Sequence, residues 1–310
     1  MSDEVGQFDV LIVGGGPAGM AAALWCDDLG LSSCLVDSSS NLGGQLHWIH
    51  NPITNYIGAE FPNGDAVARA FSAPLSKFFF TPMLDYEVMS IDPASRTVSL
   101  DDGREISAKA IVLATGVRRR KLDVPGEAEF KGKGILDSGS RDKAEASGRK
   151  AAVVGGGDAA LENALILADH AEKVFLIHRG EKFSARKDFV KAVKHHERIE
   201  VVLNARVTEF GGSSDLEFVD VELASSGSSR IAIDNAVVRI GVQPNSELLR
   251  GIVNLDAAGY ISVDREGRTS ADRIFAIGDV ANPVSPTIST ATGSASSAIK
   301  CIAASIRKTE

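Results

Sequence analysis

The 310-residue sequence contains only three cysteines, Cys26, Cys34 and Cys301. They are too few and too scattered to form a disulfide framework or a zinc site. No apolar run is long enough to span a bilayer, and the acidic start of the chain lacks the basic segment of a secretory signal. We therefore expect a soluble, cytoplasmic protein without a membrane segment or a metal centre.

The chain also has no surplus of basic residues. Lys and Arg number 33 against 41 for Asp and Glu, which gives a formal net charge of −8. A duplex-binding surface normally shows as a basic patch or stripe, so we expect no nucleic-acid partner. Hydrophobic residues make up 44% and charged residues 24% of the chain, which argues against disorder and, at this length, favours about two globular domains.

Glycine is abundant, and its first cluster lies inside a strand–turn–helix–strand pattern. A β-branched run at 9–13 precedes the turn, an Ala- and Leu-rich helix follows at 20–29, and a second strand at 33–36 ends at Asp37. The turn itself reads Gly14-Gly15-Gly16-Pro17-Ala18-Gly19. Its glycines allow a tight turn, close approach of a pyrophosphate and close helix packing, and Asp37 can accept hydrogen bonds from a ribose. The helix N-terminus offers oriented N–H groups to phosphates, so this segment predicts a dinucleotide site.

The same unit begins again 141 residues later. A strand at 150–154 precedes Gly155-Gly156-Gly157-Asp158-Ala159-Ala160, followed by a helix at 161–170 and a strand at 173–178. The glycines and Ala160 match the same fingerprint. The second strand ends in His178 and Arg179 instead of an acid, and Arg186 can add charge. Cations here suit a 2′-phosphate, so NADPH is favoured over NADH; the alternative is a surface basic patch.

Antiparallel strands separate and follow these units. We predict meanders at 88–113 and 201–238, the first ending at Ala114-Thr115-Gly116. A strand at 274–277 precedes Gly278-Asp279, and a helix is predicted at 292–306. We place domain boundaries near residues 117 and 243.

Two different nucleotide sites in one chain suggest a flavin next to a nicotinamide. Gly43-Gly44-Gln45-Leu46, Asn55, Ala114-Thr115-Gly116, Gly278-Asp279 and the His178-Arg179 pair follow the order and spacing of low-molecular-weight thioredoxin reductases, which the chain resembles over essentially its whole length. The resemblance implies an α/β fold of two Rossmann-like domains with three-layer ββα character, the second inserted in the first. It also implies a homodimer in which residues 1–117 and 244–310 bind FAD and residues 118–243 bind NAD(P)H.

The resemblance further implies individual cofactor contacts. Gly43, Gly44, Gln45 and Asn55 would approach the flavin ring and ribityl chain, and Asp279 would hydrogen-bond the ribityl hydroxyls. The remaining FAD-binding residues would be Gly14, Gly16, Pro17, Ala18, Gly19, Asp37, Leu46, Ala114, Thr115, Gly116 and Gly278. Those for NAD(P)H would be Gly155, Gly157, Asp158, Ala160, His178, Arg179 and Arg186. Each of them also suits an ordinary turn or cap, but their joint order favours cofactor binding.

The chain departs from this family where thioredoxin reductases carry Cys-x-x-Cys-Asp. That position reads Ser138-Gly139-Ser140-Arg141-Asp142. A hydroxyl and a guanidinium cannot form a disulfide or a flavin thiolate adduct, and we interpret the three cysteines as small buried apolar residues. Dithiol chemistry on thioredoxin is therefore excluded unless a partner supplies the thiols. No catalytic residue is assigned: Ser138 and Arg141 stand where the redox cysteines would be, and Asp142 is a candidate.

Two smaller departures affect the cofactor sites. Only one of the three arginines in the family's nicotinamide-phosphate pattern is in place, so Arg186 would have to compensate for the others. Residues 286–288 read Pro-Thr-Ile where the family usually carries Arg-Gln-Ala against the flavin.

The favoured hypothesis is an NAD(P)H-linked flavin oxidoreductase without a redox disulfide. Its acceptor would be ferredoxin, flavodoxin, a quinone-like small molecule or oxygen, and the basic run at 118–121 would either dock an acidic carrier or form a solvated surface. The first alternative is a ferredoxin/flavodoxin–NADP reductase. By resemblance, such reductases also lack the cysteine pair but carry a C-terminal extension, which we expect to be absent because the sequence ends at Glu310. The second alternative is a non-catalytic flavin-binding sensor or interaction protein.

Overall fold

The computed structural model describes residues 4–77, 80–225 and 227–308, with side chains from residue 7 onward. These residues divide into two compact units. Unit 1 combines the residues up to Arg118 with those from Gln243 onward, and unit 2 spans Arg119–Val242. The chain thus leaves unit 1 and returns to it.

Sixteen strands and five α-helices occur in the described residues. In chain order they are β1 (Glu4–Val13), α1 (Pro17–Asp28), β2 (Ser33–Asp37), α2 (Gly64–Ser72), β3 (Phe80–Leu84), β4 (Val88–Asp92), β5 (Thr97–Leu100), β6 (Glu105–Leu113), β7 (Val117–Arg119), β8 (Lys150–Val154), α3 (Asp158–Ala168), β9 (Lys173–His178), α4 (Lys187–His195), β10 (Ile199–Leu203), β11 (Ala205–Gly212), β12 (Leu216–Leu223), β13 (Gly227–Ala232), β14 (Asn235–Val238), β15 (Val242–Pro244), β16 (Ile274–Ala276) and α5 (Ile288–Ile306).

Unit 1 is built on a seven-stranded sheet in which β6 has two kinds of neighbour. The strands β3, β2, β1, β6 and β16 are parallel, whereas β4, β5 and β6 form the predicted antiparallel meander. The first half of β6 pairs with β5 through Ser107 and Thr97, and its last residue Leu113 pairs with Ala276 of β16. This length lets one strand connect the meander to the parallel core.

The central parallel strands of unit 1, namely β2, β16 and the last four residues of β1, are buried on both faces, which explains their continuous apolar runs. Alternate residues of β1 point to opposite sides. Val10 and Ile12 pack with α1, α2 and α5 in one cluster, and Leu11 and Val13 pack with the meander side in another.

Unit 2 has three layers, as predicted from the sequence. Its central sheet is parallel, in the order β10, β9, β8, β14. Helices α3 and α4 pack in a cluster around Val153 and Leu161, and the antiparallel sheet β11–β13 packs in a second cluster around Val154 and Phe210. The predicted α/β fold class is confirmed.

Two sequence-based boundaries were wrong. The second meander was predicted over 201–238, but the antiparallel sheet covers only β11–β13, and β10 and β14 on either side join the parallel sheet. Their apolar β-branched runs do not show which neighbour they pair with. The last helix begins at Ile288 instead of residue 292, because Thr287 and Thr290 form a capping box whose hydroxyls satisfy the first free N–H groups.

Among the described residues, no helix combines the length and the apolar character that a bilayer crossing requires.

Packing between the layers of unit 2 can be tested at Phe210. Its side chain is 1% exposed and lies in the cluster between the two sheets. We expect Phe210→Ala to lower the free energy of unfolding by about 3–5 kcal/mol, because it removes buried surface and leaves a cavity. Urea unfolding of the full-length protein measures this change. Phe218→Ala removes a half-buried ring of the same sheet and should cost clearly less; equal losses would contradict this account of the core.

Candidate functional site

The first glycine turn lies between β1 and α1 and brings backbone atoms very close together. Gly14 has a φ of +108°, and a Cβ atom at Gly19 would collide with the carbonyl oxygen of Gly14. A Cβ at Gly16 would meet no atom within 4 Å. The first and third glycines are therefore required by the protein's own packing, whereas the second faces space that a ligand could use.

Asp37 is held beside this turn at the end of β2. Its Oδ2 accepts a hydrogen bond from the Gly15 N–H at 2.5 Å, and its Oδ1 accepts one from the Ser39 N–H at 2.7 Å. The carboxylate is thereby fixed at the carboxyl edge of the parallel sheet, where ligands of α/β proteins bind.

Two cavities of unit 1 meet at this edge, with volumes of about 540 Å³ and 190 Å³. They share the lining residues Gly14, Asp37, Thr115 and Asn245. The smaller cavity brings together most of the residues predicted for FAD: Gly14, Gly16, Pro17, Ala18, Asp37, Gly44, Gln45, Leu46, Ala114, Thr115, Gly116 and Asp279. Residues that are distant in sequence thus converge on one concave site.

Four predicted FAD residues do not line either cavity. Gly19 and Gly43 support the turn, and the Gly43 N–H donates to the Gly15 carbonyl at 2.9 Å. The Gly278 N–H donates to Ser294 Oγ of α5 at 3.1 Å. Asn55 is exposed in the loop between Ile53 and Phe61. A direct contact between Asn55 and a cofactor stays a prediction.

Asn245 is a site residue that the sequence did not indicate. Its Nδ2 donates to the Thr115 carbonyl at 2.7 Å, and Thr115 Oγ1 donates to the Asn245 carbonyl at 2.6 Å. Arg118 donates to Asn245 Oδ1 at 2.7 Å and to Glu247 Oε1 at 2.5 Å. These bonds connect the two chain segments of unit 1 across 130 residues of sequence, which no local pattern could reveal.

The basic run at 118–121 is largely occupied by hydrogen bonds. Besides the bonds of Arg118, Arg119 donates to the Asp137 carbonyl at 2.6 Å and Arg120 to the Val242 carbonyl at 2.9 Å. Three of its four cations thus serve the local structure, which weakens the hypothesis that this run docks an acidic carrier.

Asp279 follows β16 and is half-buried in the wall of the smaller cavity. Its carboxylate has no hydrogen-bond donor among the described residues, and burial raises its pKa above the ordinary value. An acceptor without a donor, facing a cavity, suits a ligand hydroxyl.

The second glycine turn lies in unit 2 between β8 and α3. Gly155 has a φ of +149°, and a Cβ there would collide with the carbonyl oxygen of Arg239. A Cβ at Gly157 would meet only Ser184 Oγ, at 3.8 Å. The ring of His178 packs on Gly156, and its Nε2 lies 3.1 Å from the Lys182 carbonyl. The turn therefore repeats the geometry of the first one, with open space at Gly157, the second glycine of the fingerprint.

Arg186 does not stand free for a phosphate. Its backbone N–H and its Nε both donate to the Asp158 carboxylate at 2.7 Å, at the N-terminus of α3. Arg179 is exposed at the end of β9. Of the two arginines predicted for NADPH, Arg179 is the one that forms no ion pair with a described residue.

The position of the missing cysteines is a closed polar loop. Arg141 donates to both carboxylate oxygens of Asp142, at 2.5 Å and 2.9 Å, and the Ser138 N–H donates to Asp142 Oδ2 at 3.0 Å. Burial is the largest single influence and raises the pKa of Asp142, but the hydrogen bonds from Arg141 and from the Ser138 N–H, together with the charge of Arg141, lower it below the ordinary value. Asp142 is therefore an ionised, fully engaged acceptor and not a poised proton donor.

Two of the three cysteines, Cys26 and Cys34, are poorly suited to redox chemistry. Burial raises the pKa of Cys26 and of Cys34 to about 12, so their thiolates are scarcely populated near neutral pH. Cys301 is half-buried on α5, and all three are free. No group of three metal-ligating side chains occurs in the part of the chain that the structure describes.

Comparison with known proteins agrees with this geometry. The sequence profile of the pyridine nucleotide-disulphide oxidoreductase family matches residues 8–298. The chain is 33% identical over 298 residues to the thioredoxin reductase of Mycolicibacterium smegmatis, covering 95% of each chain. It is 31% identical over 280 residues to the NADH dehydrogenase of Bacillus subtilis, covering 88% of this chain and 53% of that protein. The chain thus spans about half the length of several curated relatives it matches.

A solved structure gives the same answer for the fold. The thioredoxin reductase of Lactococcus lactis superimposes with a TM-score of 0.86 at 27% identity, covering 97% of this chain and 99% of that one. The resemblance inferred from the motifs is confirmed, and the predicted cofactors, FAD and NAD(P)H, are those of this family. The chain belongs to the pyridine nucleotide-disulphide oxidoreductase family, as a member that carries Ser138 and Arg141 where thioredoxin reductases have their redox cysteines.

Proposed function

We propose that the protein is an FAD-dependent oxidoreductase that oxidises NAD(P)H and passes the electrons to an acceptor without an internal disulfide. One observation carries the proposal: both dinucleotide turns keep their geometry, while the cysteine position is a closed loop of Ser138, Arg141 and Asp142. Such an enzyme requires two nucleotide-binding turns and no internal dithiol. Unit 1 would hold FAD, and unit 2 would hold NAD(P)H.

The residues of unit 1 fit FAD. The open side of Gly16 and the N-terminus of α1 would receive the diphosphate, and Asp37 would accept hydrogen bonds from the ribose. The Asp279 carboxylate, which has no donor among the described residues, would accept one from a ribityl hydroxyl. The two adjoining cavities, which share Asp37, give room for the two ends of the cofactor.

When bound, FAD supplies the redox chemistry, accepting a hydride from the nicotinamide and releasing electrons onward. The chain's own part is placement and electrostatics. Asp142, ionised and paired with Arg141, holds its loop shut and neither donates a proton nor forms a bond to the cofactor. The electrons must therefore leave to an external acceptor. We propose that this acceptor is a quinone-like small molecule, oxygen or a protein carrier.

A ferredoxin or flavodoxin is the second candidate acceptor, and α4 favours it. Lys187, Lys191 and Lys194 recur at helical spacing along this helix and are all exposed, on a protein with a net charge of −8. Such a row is complementary to an acidic carrier. We also propose a homodimer, as implied by the resemblance to thioredoxin reductases.

Reduction of the flavin by nicotinamide tests the proposal directly. Anaerobic stopped-flow mixing of the FAD-loaded protein with NADPH, and separately with NADH, should bleach the flavin absorbance. Ser138→Ala should bleach at the same rate as the unchanged protein, because the serine takes no part in electron transfer. If neither nucleotide reduces the flavin, the protein is a binder or takes electrons from a protein donor. Loss of reduction in Ser138→Ala would show that the loop has a role in the reaction.

The choice between NADPH and NADH should depend on Arg179 more than on Arg186. We expect Arg179→Ala to lower kcat/KM for NADPH about tenfold or more while leaving NADH nearly unchanged, because a charge-assisted contact to the 2′-phosphate is lost. Arg186→Ala is the matched control, since its guanidinium is paired with Asp158. An equal loss in both variants would show that the ion pair opens when the nucleotide binds.

We expect the Asp279 carboxylate to lower the stability of the FAD-free protein near neutral pH and to strengthen FAD binding. Burial raises the pKa of Asp279, so the native state favours the protonated carboxyl. Ionisation of this carboxyl therefore lowers the free energy of unfolding. The loss is absent below the ordinary Asp pKa and develops as pH rises through the folded-state pKa. We expect the free energy of unfolding of the FAD-free Asp279→Asn variant, measured with urea, to match that of the unchanged protein at about pH 3 and to exceed it at about pH 7. Asp279→Ala should bind FAD more weakly. A stability difference that shrinks as pH rises would contradict the assignment.

A further inference from the structure

Two arginines of unit 2 converge on a single carbonyl oxygen. Arg119 Nη1 donates to the Asp137 carbonyl at 2.6 Å, and Arg239 Nη2 donates to the same oxygen at 2.7 Å. The two guanidinium groups therefore lie side by side, directly before the loop that replaces the cysteine pair.

Arg239 forms no ion pair with a carboxylate of the described residues. Its hydrogen bonds go to the carbonyls of Asp137 and Val238, at 2.7 Å and 2.8 Å. A guanidinium offers five N–H donors, so most of its capacity is unused by these two neutral acceptors. Two of the carboxylates that act on Arg239 are engaged by another cation, since Arg141 binds Asp142 and also reaches Asp137 at 3.4 Å.

The surroundings make this cation costly. Burial, followed by repulsion from Arg119, lowers the pKa of Arg239 to about 10, although Asp137, Asp142 and Glu162 act in the opposite direction. Burial also lowers the pKa of Arg119. Partly buried charges of the same sign normally persist where an anion compensates them.

The pair lies at the edge of the sheet where a ligand would bind. Arg239 follows β14, its N–H donates to the Val154 carbonyl at 2.7 Å, and its own carbonyl packs against Gly155 of the glycine turn. Both arginines are half-buried, so solvent still reaches them. The carboxyl ends of parallel strands form the ligand site in this class of sheet, and Arg186 is already paired with Asp158.

We propose that Arg119 and Arg239 form an oxyanion-binding site in unit 2, beside the position of the missing cysteines. Its ligand is a phosphate or carboxylate group of a small molecule. Two sources supply that chemistry: the diphosphate of the pyridine nucleotide and an anionic electron acceptor. Only the identity of the source rests on the proposed function, because anion binding itself requires no electron transfer.

The test uses the full-length, FAD-loaded protein and inorganic pyrophosphate as the probe. Calorimetric titration should show saturable binding of pyrophosphate that potassium chloride at equal ionic strength does not reproduce. Arg239→Gln should weaken this binding about tenfold or more, since charge-assisted hydrogen bonds are lost. Arg239→Lys keeps the positive charge but not the planar guanidinium, so its affinity for pyrophosphate should lie between those of the unchanged protein and of Arg239→Gln. Arg239→Lys also serves as the test protein if Arg239→Gln does not fold.

Arg230→Gln is the matched control. It removes one positive charge from an exposed arginine of the same unit, paired with Asp220 on the antiparallel sheet, and it should bind pyrophosphate as the unchanged protein does. Competition then separates the sources. If pyrophosphate displaces NADPH and Arg239→Gln weakens both, the site holds the nucleotide diphosphate; if NADPH binding is unaffected, the site holds the anionic acceptor.

The proposal is overturned if pyrophosphate binds no better than chloride, or if Arg239→Gln and Arg239→Lys bind it as well as the unchanged protein. These titrations involve no flavin reduction. A protein that fails to oxidise NAD(P)H yet binds pyrophosphate through Arg239 would therefore contradict the proposed function and leave the anion site standing.

Discussion

The close approach of a helix to the end of the strand before it is the constraint on which both nucleotide-binding units depend. In unit 1 Gly19 of α1 packs on the carbonyl of Gly14, and in unit 2 a Cβ at Gly155 would collide with the Cβ of Ala160 on α3. The middle glycines, Gly16 and Gly157, face open space instead. In each turn a glycine that the fold itself requires is thus followed by one that leaves room for a ligand. The turn therefore combines a tight connection with open space beside the helix N-terminus.

The local repetition of this constraint made much of the fold predictable. Strand, glycine turn, helix and strand follow one another within about thirty residues, so each unit begins with a signal that does not depend on distant contacts. The same is true of Asp37 and of the residues that line the smaller cavity from the first turn. Sequence reasoning was weaker where the partner lies far along the chain. Asn245 acts through Thr115, and β10 and β14 could not be told from meander strands until their neighbours were known.

The availability of the basic residues for ligands also could not be predicted from the sequence, because it depends on their hydrogen-bond and ion-pair partners in the fold. Arg186 looked available for a phosphate, but Asp158 at the start of α3 binds it through two hydrogen bonds. The basic run at 118–121 looked available to dock an acidic carrier, but its three arginines are bonded to Asn245, Glu247, Asp137 and Val242. A basic residue in a sequence shows only that a cation is present. Whether it is free depends on carboxylates and carbonyls that the fold brings to it.

The replacement of the cysteine pair changes the electrostatics of its surroundings as well as the chemistry. A disulfide is neutral and needs no partner, whereas Arg141 requires the carboxylate of Asp142 and takes it in a two-point contact. That pairing engages Asp142 with Arg141, while the neighbouring Arg119 and Arg239 both donate to the carbonyl of Asp137. In unit 1 Asp279 presents the opposite case, a buried acceptor without a donor among the described residues. Each group costs stability in the protein alone, and each would become favourable on binding a ligand of complementary chemistry, which is why we propose that the two sites are completed by cofactors and substrates.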